Sequence, residues 1–326
     1  MKWWRREATP VSVVVCTYNR RDPVEKTLIA LREQTYPCFE VIVVNGPSTD
    51  GTADVLAQFA DSARLLDCPQ ASVGHARNLG MQHAAGDIIA FIDDDAIPPT
   101  DWLAHMTKPF RDNRISSVGG PVWDVPLDRF DWKVCTSTRL GVVEVDSPAP
   151  IGTYQGIGAD PFPYFAGCNV GHRRTALQEV GGCNTALPYV YDDTELCCQL
   201  NDVGYRFAYV EELQVSHFRA VNASRDGQQV IVDPYNLALG RVVFAAHCQR
   251  APEGVANVLQ LARQWESEWT VHSLAHVESG RFTQQDHERF IARAAAGTDE
   301  GIARGSLPRP FTTIGPPPIE AFRQYC

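Results

Sequence analysis

The first hundred residues alternate short apolar runs with amphipathic stretches, a few residues apart, and this alternation restricts the fold more than any other feature. Val11-Ser12-Val13-Val14-Val15-Cys16 is β-branched and nearly all apolar, the pattern of a strand buried on both faces of a parallel sheet. Asp22-Pro23 opens a helical stretch through Leu28, Leu31 and Arg32, with Asp22 expected as N-cap and Pro23 in the first turn. Further strands are expected at Glu40 to Val44, Ala63 to Leu66 and Asp87 to Ile92, with helices near Thr52 to Ala60 and Gly74 to Ala85. Strands and helices alternating through short loops make βαβ units, so the class is α/β with a mostly parallel sheet flanked by helices.

Ligands of such sheets bind beyond the carboxyl ends of the strands. Here those ends carry Thr17-Tyr18-Asn19, Asn45-Gly46-Pro47-Ser48 and Asp93-Asp94-Asp95. Three consecutive carboxylates after a buried strand repel one another unless something positive sits among them. Mg2+ or Mn2+ bridging to phosphate oxygens suits the need, while a solvated acidic turn before Pro98-Pro99 is the plainer account. Asp192-Asp193-Thr194-Glu195 holds either a general base facing an acceptor hydroxyl or acids favoured at a helix N-terminus by capping and the macrodipole. In Gly74-His75-Ala76-Arg77-Asn78, Arg77 is either a planar fork for a diphosphate or a surface arginine. His217, in Val215-Ser216-His217-Phe218, is either structural or a third metal ligand.

Beyond Pro121 the pattern loosens. Val142 to Val145 reads as a strand, Ser147 to Asp160 as a mobile loop, and Arg173 to Val180 as a helix closed by Gly181-Gly182. A helix follows Asp192-Asp193, and Arg206 to Val210 with Gln214 to His217 are expected to finish the sheet. From about Asp233 the chain turns helical, with Trp265 and Trp269 on apolar faces expected to pack on the preceding part; a homodimer through these helices is the alternative. Leu307-Pro308-Arg309-Pro310 and Pro316-Pro317-Pro318 read as an extended strap or tail.

With 39 acids against 29 bases, the net charge of −10 argues against phosphate-backbone binding to nucleic acid. No window approaches the roughly 18 consecutive apolar residues of a spanning helix, and no signal peptide is read at the start. Ten scattered cysteines without a CxxC favour reduced thiols in a cytoplasm, with peripheral attachment at the inner membrane face as an alternative.

Taken in order, these motifs resemble a family 2 inverting glycosyltransferase of the GT-A fold, a Rossmann-like architecture. The similarity rests on Val11 to Arg20, Glu40 to Val44 with Ser48-Thr49-Asp50-Gly51-Thr52, Ala76-Arg77-Asn78-Leu79-Gly80, Asp93-Asp94-Asp95, Ala166-Gly167-Cys168-Asn169, Gly181-Gly182 and Asp192-Asp193, and spans about residues 10 to 220. It implies a nucleotide-diphosphate sugar donor, a divalent cation under the diphosphate, and a glycan, lipid-linked or small-molecule hydroxyl acceptor. By match, Asp93, Asp94 and Asp95 form a DxD-type motif, with Asp93 nearer the ribose and Asp95 on the metal. Thr17, Tyr18, Asn19, Arg20, Asn45, Pro47, Arg77 and Asn78 fall on the donor side, and Gly167, Cys168 and Asn169 on the acceptor side. Asp193 matches the catalytic base, Asp192 stands where the family usually has Glu, and Glu195 is the substitute base one turn on. His217 resembles the histidine that completes the metal shell in some members.

Asn45-Gly46 stands where an acid often contacts the base, so the resemblance assigns no nucleobase. Gln199 replaces a common arginine, and the Gln-x-x-Arg-Trp element of processive synthases is absent, which favours addition of one sugar or a few. The expected organisation is a catalytic domain at 1–232, its donor half about 10–120 and acceptor half about 121–232, then a helical extension at 233–326. A catalytically silent relative binding nucleotide or glycan, and a sugar-phosphate nucleotidyltransferase, are the alternatives. A dinucleotide dehydrogenase is excluded because no GxGxxG follows a strand.

Overall fold

The valine run at the start does form the centre of a sheet. The computed structural model describes residues 8–146, 157–219, 224–226, 230–316, 322, 324 and 325. In the first part, β1 (Val11–Thr17), α1 (Arg21–Arg32), β2 (Phe39–Asn45), α2 (Thr52–Ala57), β3 (Arg64–Asp67), α3 (Val73–His83) and β4 (Ile88–Asp93) alternate without interruption. Next come β5 (Ala96–Ile97), α4 (Trp102–Thr107), β6 (Ile115–Gly119), β7 (Val122–Asp124), β8 (Arg129–Trp132), β9 (Cys135–Ser137) and β10 (Val143–Glu144). The middle ends with β11 (Phe162–Tyr164), β12 (Val170–Arg173), α5 (Arg174–Val180), α6 (Asp192–Asp202), β13 (Arg206–Tyr209) and β14 (Val215–His217). Three helices close the chain: α7 (Tyr235–His247), α8 (Pro252–Glu278) and α9 (Gln284–Gly305).

Seven strands form the main sheet in the order β13-β6-β12-β4-β1-β2-β3. All pairings are parallel except those of β12, which runs antiparallel to both β4 and β6. Burial on both faces explains the uniform valine composition of β1: Val13 and Val15 pack with Val24, Leu28 and Leu31 of α1, whereas Val14 faces Ala76 and Met81 of α3. Each fully buried valine contributes roughly 1.5–3 kcal/mol of hydrophobic stabilisation. The chain winds outward from β1 to β3 and returns on the other side at β4, so a crevice opens where β1 and β4 lie side by side. Register pairs Cys16 with Asp93, which brings the ends of both strands to that crevice.

Two smaller sheets flank the main one: β5-β14-β7-β8 and β10-β9-β11. The C-terminal helices pack closely because α9 carries a glycine every fourth residue on the face toward α7. A Cβ at Gly297 would lie 2.3 Å from the Tyr235 carbonyl oxygen. Arg241 covers the Trp265 ring at 4.2 Å, and Trp269 lies 6.2 Å from Phe290, so both tryptophans pack within the chain. No helix among the described residues is long and apolar enough to cross a membrane.

Three expectations are corrected. Asp22 does not cap α1; the helix begins two residues earlier than such a cap implies, with Arg20 at the cap position, and Asp22 lies exposed in its first turn. The Gln214 to His217 strand does not finish the main sheet, because β14 instead pairs with β7 and β5. The helix Asp192–Asp202 begins at Asp192 itself rather than after the acidic pair. Residues 147–156 of the expected mobile loop, and Pro317-Pro318 of the tail, lie outside the described residues.

Candidate active site

The site is built on the loops after β1, β2 and β4. Asn19 adopts a left-handed backbone (φ 53°) and latches to the β2 loop: Ser48 Oγ accepts from its amide at 2.9 Å, and its own Oδ1 accepts from Thr49 N at 2.8 Å. Ser48 Oγ in turn donates to Asn45 Oδ1 at 2.8 Å. Thr17 and Asn45 are buried beneath this latch, while Tyr18 is 45% exposed and Pro47 exposed. The result is a rigid floor with one free aromatic face.

The acidic turn after β4 is held from below by Thr27 of α1, whose Oγ1 donates to the carbonyls of Asp94 at 2.9 Å and Ala96 at 3.1 Å. Its three side chains differ. Asp93 keeps 41% of its side chain exposed. Asp94 is buried, and burial followed by the charge of Asp95 pushes it up to about 8. Asp95 is also buried, with Oδ2 3.8 Å from Arg20 Nη1 and Oδ1 2.9 Å from His217 Nε2. Pairing of His217 with Ala96 across β14 and β5 sets this last contact. Burial works against a proton on His217, but the hydrogen bond and charge of Asp95 outweigh it and raise its affinity for one. His217 Nδ1 faces Asp131 Oδ2 at 4.0 Å, and Asp131 is ion-paired with Arg219.

One ligand atom each from Asp93, Asp95 and His217 lies within 4.8 Å of the others. Two hard carboxylate oxygens and one imidazole nitrogen suit Mn2+ or Mg2+, with the remaining positions left to phosphate and water. The donor set therefore fits the expected cation.

The second acidic segment meets the first through Arg77. Its guanidinium pairs with Asp192 by a short hydrogen bond and reaches Asp93 Oδ1 at 3.5 Å, from beneath a Gly167 whose Cβ would lie 2.2 Å from Arg77 Nη2. Burial, resisted by Arg77, pushes Asp192 up to about 6, with Asp193 adding to the rise. Asp193 is half-buried at the start of α6: Oδ2 accepts from Gly167 N at 2.8 Å, and Oδ1 from Thr194 N at 2.6 Å. Two backbone amides thus fix its orientation.

Several residues expected near the donor or acceptor are engaged elsewhere. Asn78 makes a reciprocal pair with the Cys183 backbone at 2.8 and 2.9 Å and donates to Thr312 Oγ1. Cys168 is buried in the core, which lifts its thiol well above the ordinary range. Asn169 accepts from Trp102 Nε1 at 2.8 Å and donates to the carbonyls of Pro121 and Leu213. Glu195 has no exposed surface and is ion-paired with Arg309, an environment closed to an acceptor hydroxyl. Asp131 of β8, Arg219 just beyond β14 and the contact of Arg309 with Glu195 escape sequence reading, because only the folded chain brings these side chains to their partners.

Glycosyl transferase family 2, as a family model, matches residues 12–181. Glycosyltransferase AglE of Haloferax volcanii is 30% identical over 207 residues, covering 55% of this chain and 68% of that protein. A second Haloferax volcanii protein, glucosyl-dolichyl phosphate glucuronosyltransferase, is 26% identical over 231 residues, covering 64% and 68%. Among solved structures, the mannosyltransferase PcManGT from Pyrobaculum calidifontis, in complex with GDP-Man and Mn2+, superposes with TM-score 0.54 at 20% identity, covering 92% of this chain and 85% of that one. Residues 1–349 of S. aureus TarS in complex with UDP give 0.52 at 13% identity, covering 91% and 90%. At these identities the structural likeness shows the fold, which is GT-A.

Proposed function

The chain belongs to glycosyl transferase family 2, and from that membership we propose a metal-dependent inverting transfer of a sugar from a nucleotide-diphosphate donor to an acceptor hydroxyl. One observation carries this most directly: the Arg77 guanidinium engages both Asp93 and Asp192, so the acidic turn after β4 and the acidic start of α6 face one crevice. A donor diphosphate and an attacking hydroxyl need those two chemistries side by side.

In this proposal Asp93, Asp95 and His217 hold Mn2+ or Mg2+. The bound ion supplies charge neutralisation for the departing diphosphate. Thr17, Tyr18 and Asn19 line the base and ribose, with the exposed Tyr18 ring as a stacking face. Asp193, held by Gly167 N and Thr194 N, takes the proton from the acceptor hydroxyl as it attacks the face opposite the leaving group. Asp192 is committed to Arg77, which leaves Asp193 as the base. One carboxylate suffices for the proton, unlike the pair of a glycosidase. We further propose that residues 233–326 act as a helical extension of the catalytic part and that the enzyme adds one sugar rather than polymerising.

The relatives support the donor class and leave the acceptor broad: a solved neighbour holds GDP-Man and Mn2+, another holds UDP, and one curated relative is named for a dolichyl phosphate substrate. The test is the anomeric configuration of a transfer product, read by NMR. Configuration opposite to the donor supports the proposal; retained configuration overturns it.

A further inference from the structure

Residues 307–316 leave the end of α9 and cross four helices. His247 Nε2 of α7 lies 3.0 Å from the Leu307 carbonyl oxygen. Thr312 N donates to the Gly181 carbonyl at 2.9 Å, and its hydroxyl accepts from Asn78 of α3 at 2.9 Å. Gln82 of α3 and Gln178 of α5 donate to the carbonyls of Thr313 and Gly315. This strap delivers one charged side chain inward. Arg309 Nε donates to Glu195 Oε1 at 2.5 Å and Nη2 to Oε2 at 3.2 Å, and the same guanidinium satisfies the carbonyls of Val180 at 2.9 Å and Gly182 at 2.7 Å.

The partner matters because Glu195 is fully buried. A carboxylate removed from water needs a compensating charge or takes up a proton. Within its own helix Glu195 finds only the neutral amide of Gln199, at 2.9 Å, so the compensating charge comes from 114 residues away. Pro308 and Pro310 on either side restrict the backbone around Arg309 and so reduce the entropy of holding it there. Glu195 lies in the first turn of α6, two residues beyond Asp193 and three beyond Asp192. Displacement of its carboxylate displaces that turn.

We propose that Arg309 is a positioning residue: through its two-pronged pair with Glu195, the C-terminal strap fixes the start of α6 and thereby the direction of the Asp193 carboxylate. The proposal rests on the assignment of Asp193 as base. The donor floor and the Asp93, Asp95 and His217 cluster stand on other elements, joined to α6 through the Asp192–Arg77–Asp93 contacts, so Arg309 governs turnover far more than donor binding.

The experiment compares wild type, Arg309→Gln, Arg309→Lys and the double variant Glu195→Gln/Arg309→Gln. Amide exchange of residues 190–200 is followed by mass spectrometry. Release of nucleoside diphosphate from GDP-, UDP-, dTDP- and CDP-sugars with Mn2+ gives kcat and donor KM. In Arg309→Gln, the amides of 192–196 are expected to exchange at least tenfold faster with those of α1 unchanged, and kcat to fall at least tenfold with donor KM within twofold. The double variant, which removes the buried charge with its partner but still leaves the turn without the strap, is expected to keep both the faster exchange and the loss of kcat. Should Arg309→Gln fail to fold, Arg309→Lys, which keeps the charge but loses the fork, is expected to show the same split to a smaller degree. Wild-type exchange and kcat in the single variants, donor KM rising in step with the loss, or a double variant restored to wild-type exchange and kcat, each overturns the proposal. A wild-type protein that turns over none of the donors overturns the assigned function instead, while the exchange comparison still decides the clamp.

Discussion

His217 Nε2 lies 2.9 Å from Asp95 Oδ1, although 122 positions separate the two residues in the chain. The pairing of β14 with β5 makes this meeting a property of the fold rather than of a flexible side chain. If the pair holds a cation, Asp95→Ala is expected to weaken Mn2+-dependent nucleotide binding at least about 100-fold and His217→Ala at least about tenfold, since loss even of a residue that only supports a metal ligand costs about 10–100-fold. Calorimetry with and without Mn2+ checks this, and metal dependence unchanged in Asp95→Ala contradicts it.

Both oxygens of Asp193 accept from backbone amides, so replacing the carboxylate with an amide keeps its size and removes its basicity at the loss of one of those two bonds. Asp193→Asn is expected to keep nucleotide affinity within twofold and to lower transfer by about 10²–10⁴. Transfer at the wild-type rate would assign the base elsewhere.

His172 is buried between β4 and β6 beside Ser117 Oγ, at 2.9 Å, and burial pushes its pKa down to about 3. In the unfolded chain it titrates near 6.5, so between those values the unfolded state binds the extra proton and folding stability falls as pH falls. The loss is at most about 1.4 kcal/mol per pH unit across that window. Urea denaturation at pH 7.5, 5.5 and 4.5 is expected to show a shallower decline for His172→Gln than for wild type; equal slopes would mean that His172 is not the group responsible.

Asn169 is saturated by Trp102, Pro121 and Leu213. Asn169→Ala leaves a buried indole N–H and the Leu213 carbonyl unpartnered, while the Pro121 carbonyl keeps Val215 N at 3.2 Å, and is expected to cost about 3 kcal/mol of stability. Thermal or chemical unfolding measures it, and a variant as stable as wild type would return Asn169 to the acceptor side.

The contrast between Asn169 and Asp193 shows how far sequence reading reaches. Strand ends announce themselves, because a buried valine run must stop where polar residues begin; that is why Thr17-Tyr18-Asn19, Asn45 to Ser48 and the triple aspartate are legible as one crevice. Side-chain direction is not announced. Asn169 is the one polar side chain at the end of Ala166-Gly167-Cys168-Asn169, yet it turns inward because Trp102, 67 residues away in the chain, offers a buried indole N–H. Asn78 stands beside Arg77 and likewise serves the Cys183 backbone and Thr312. Position alone does not reveal that Asp192 faces Arg77 while Glu195, three residues on, faces Arg309. The 3.6-residue repeat puts those two acids on one side of the helix, and only packing decides which becomes structural. The sheet that β14 joins is hidden for a similar reason: three residues carry too little pattern to decide it.

In the proposed function the crevice between β1 and β4 binds a nucleoside diphosphate through a divalent cation. Calorimetric titration of the wild-type protein with UDP, GDP, dTDP and CDP, each with and without Mn2+, tests it most directly. One nucleotide is expected to bind clearly more tightly than the rest and to lose at least tenfold in affinity when Mn2+ is withheld. Binding of none of the four, or binding indifferent to the metal, would contradict it.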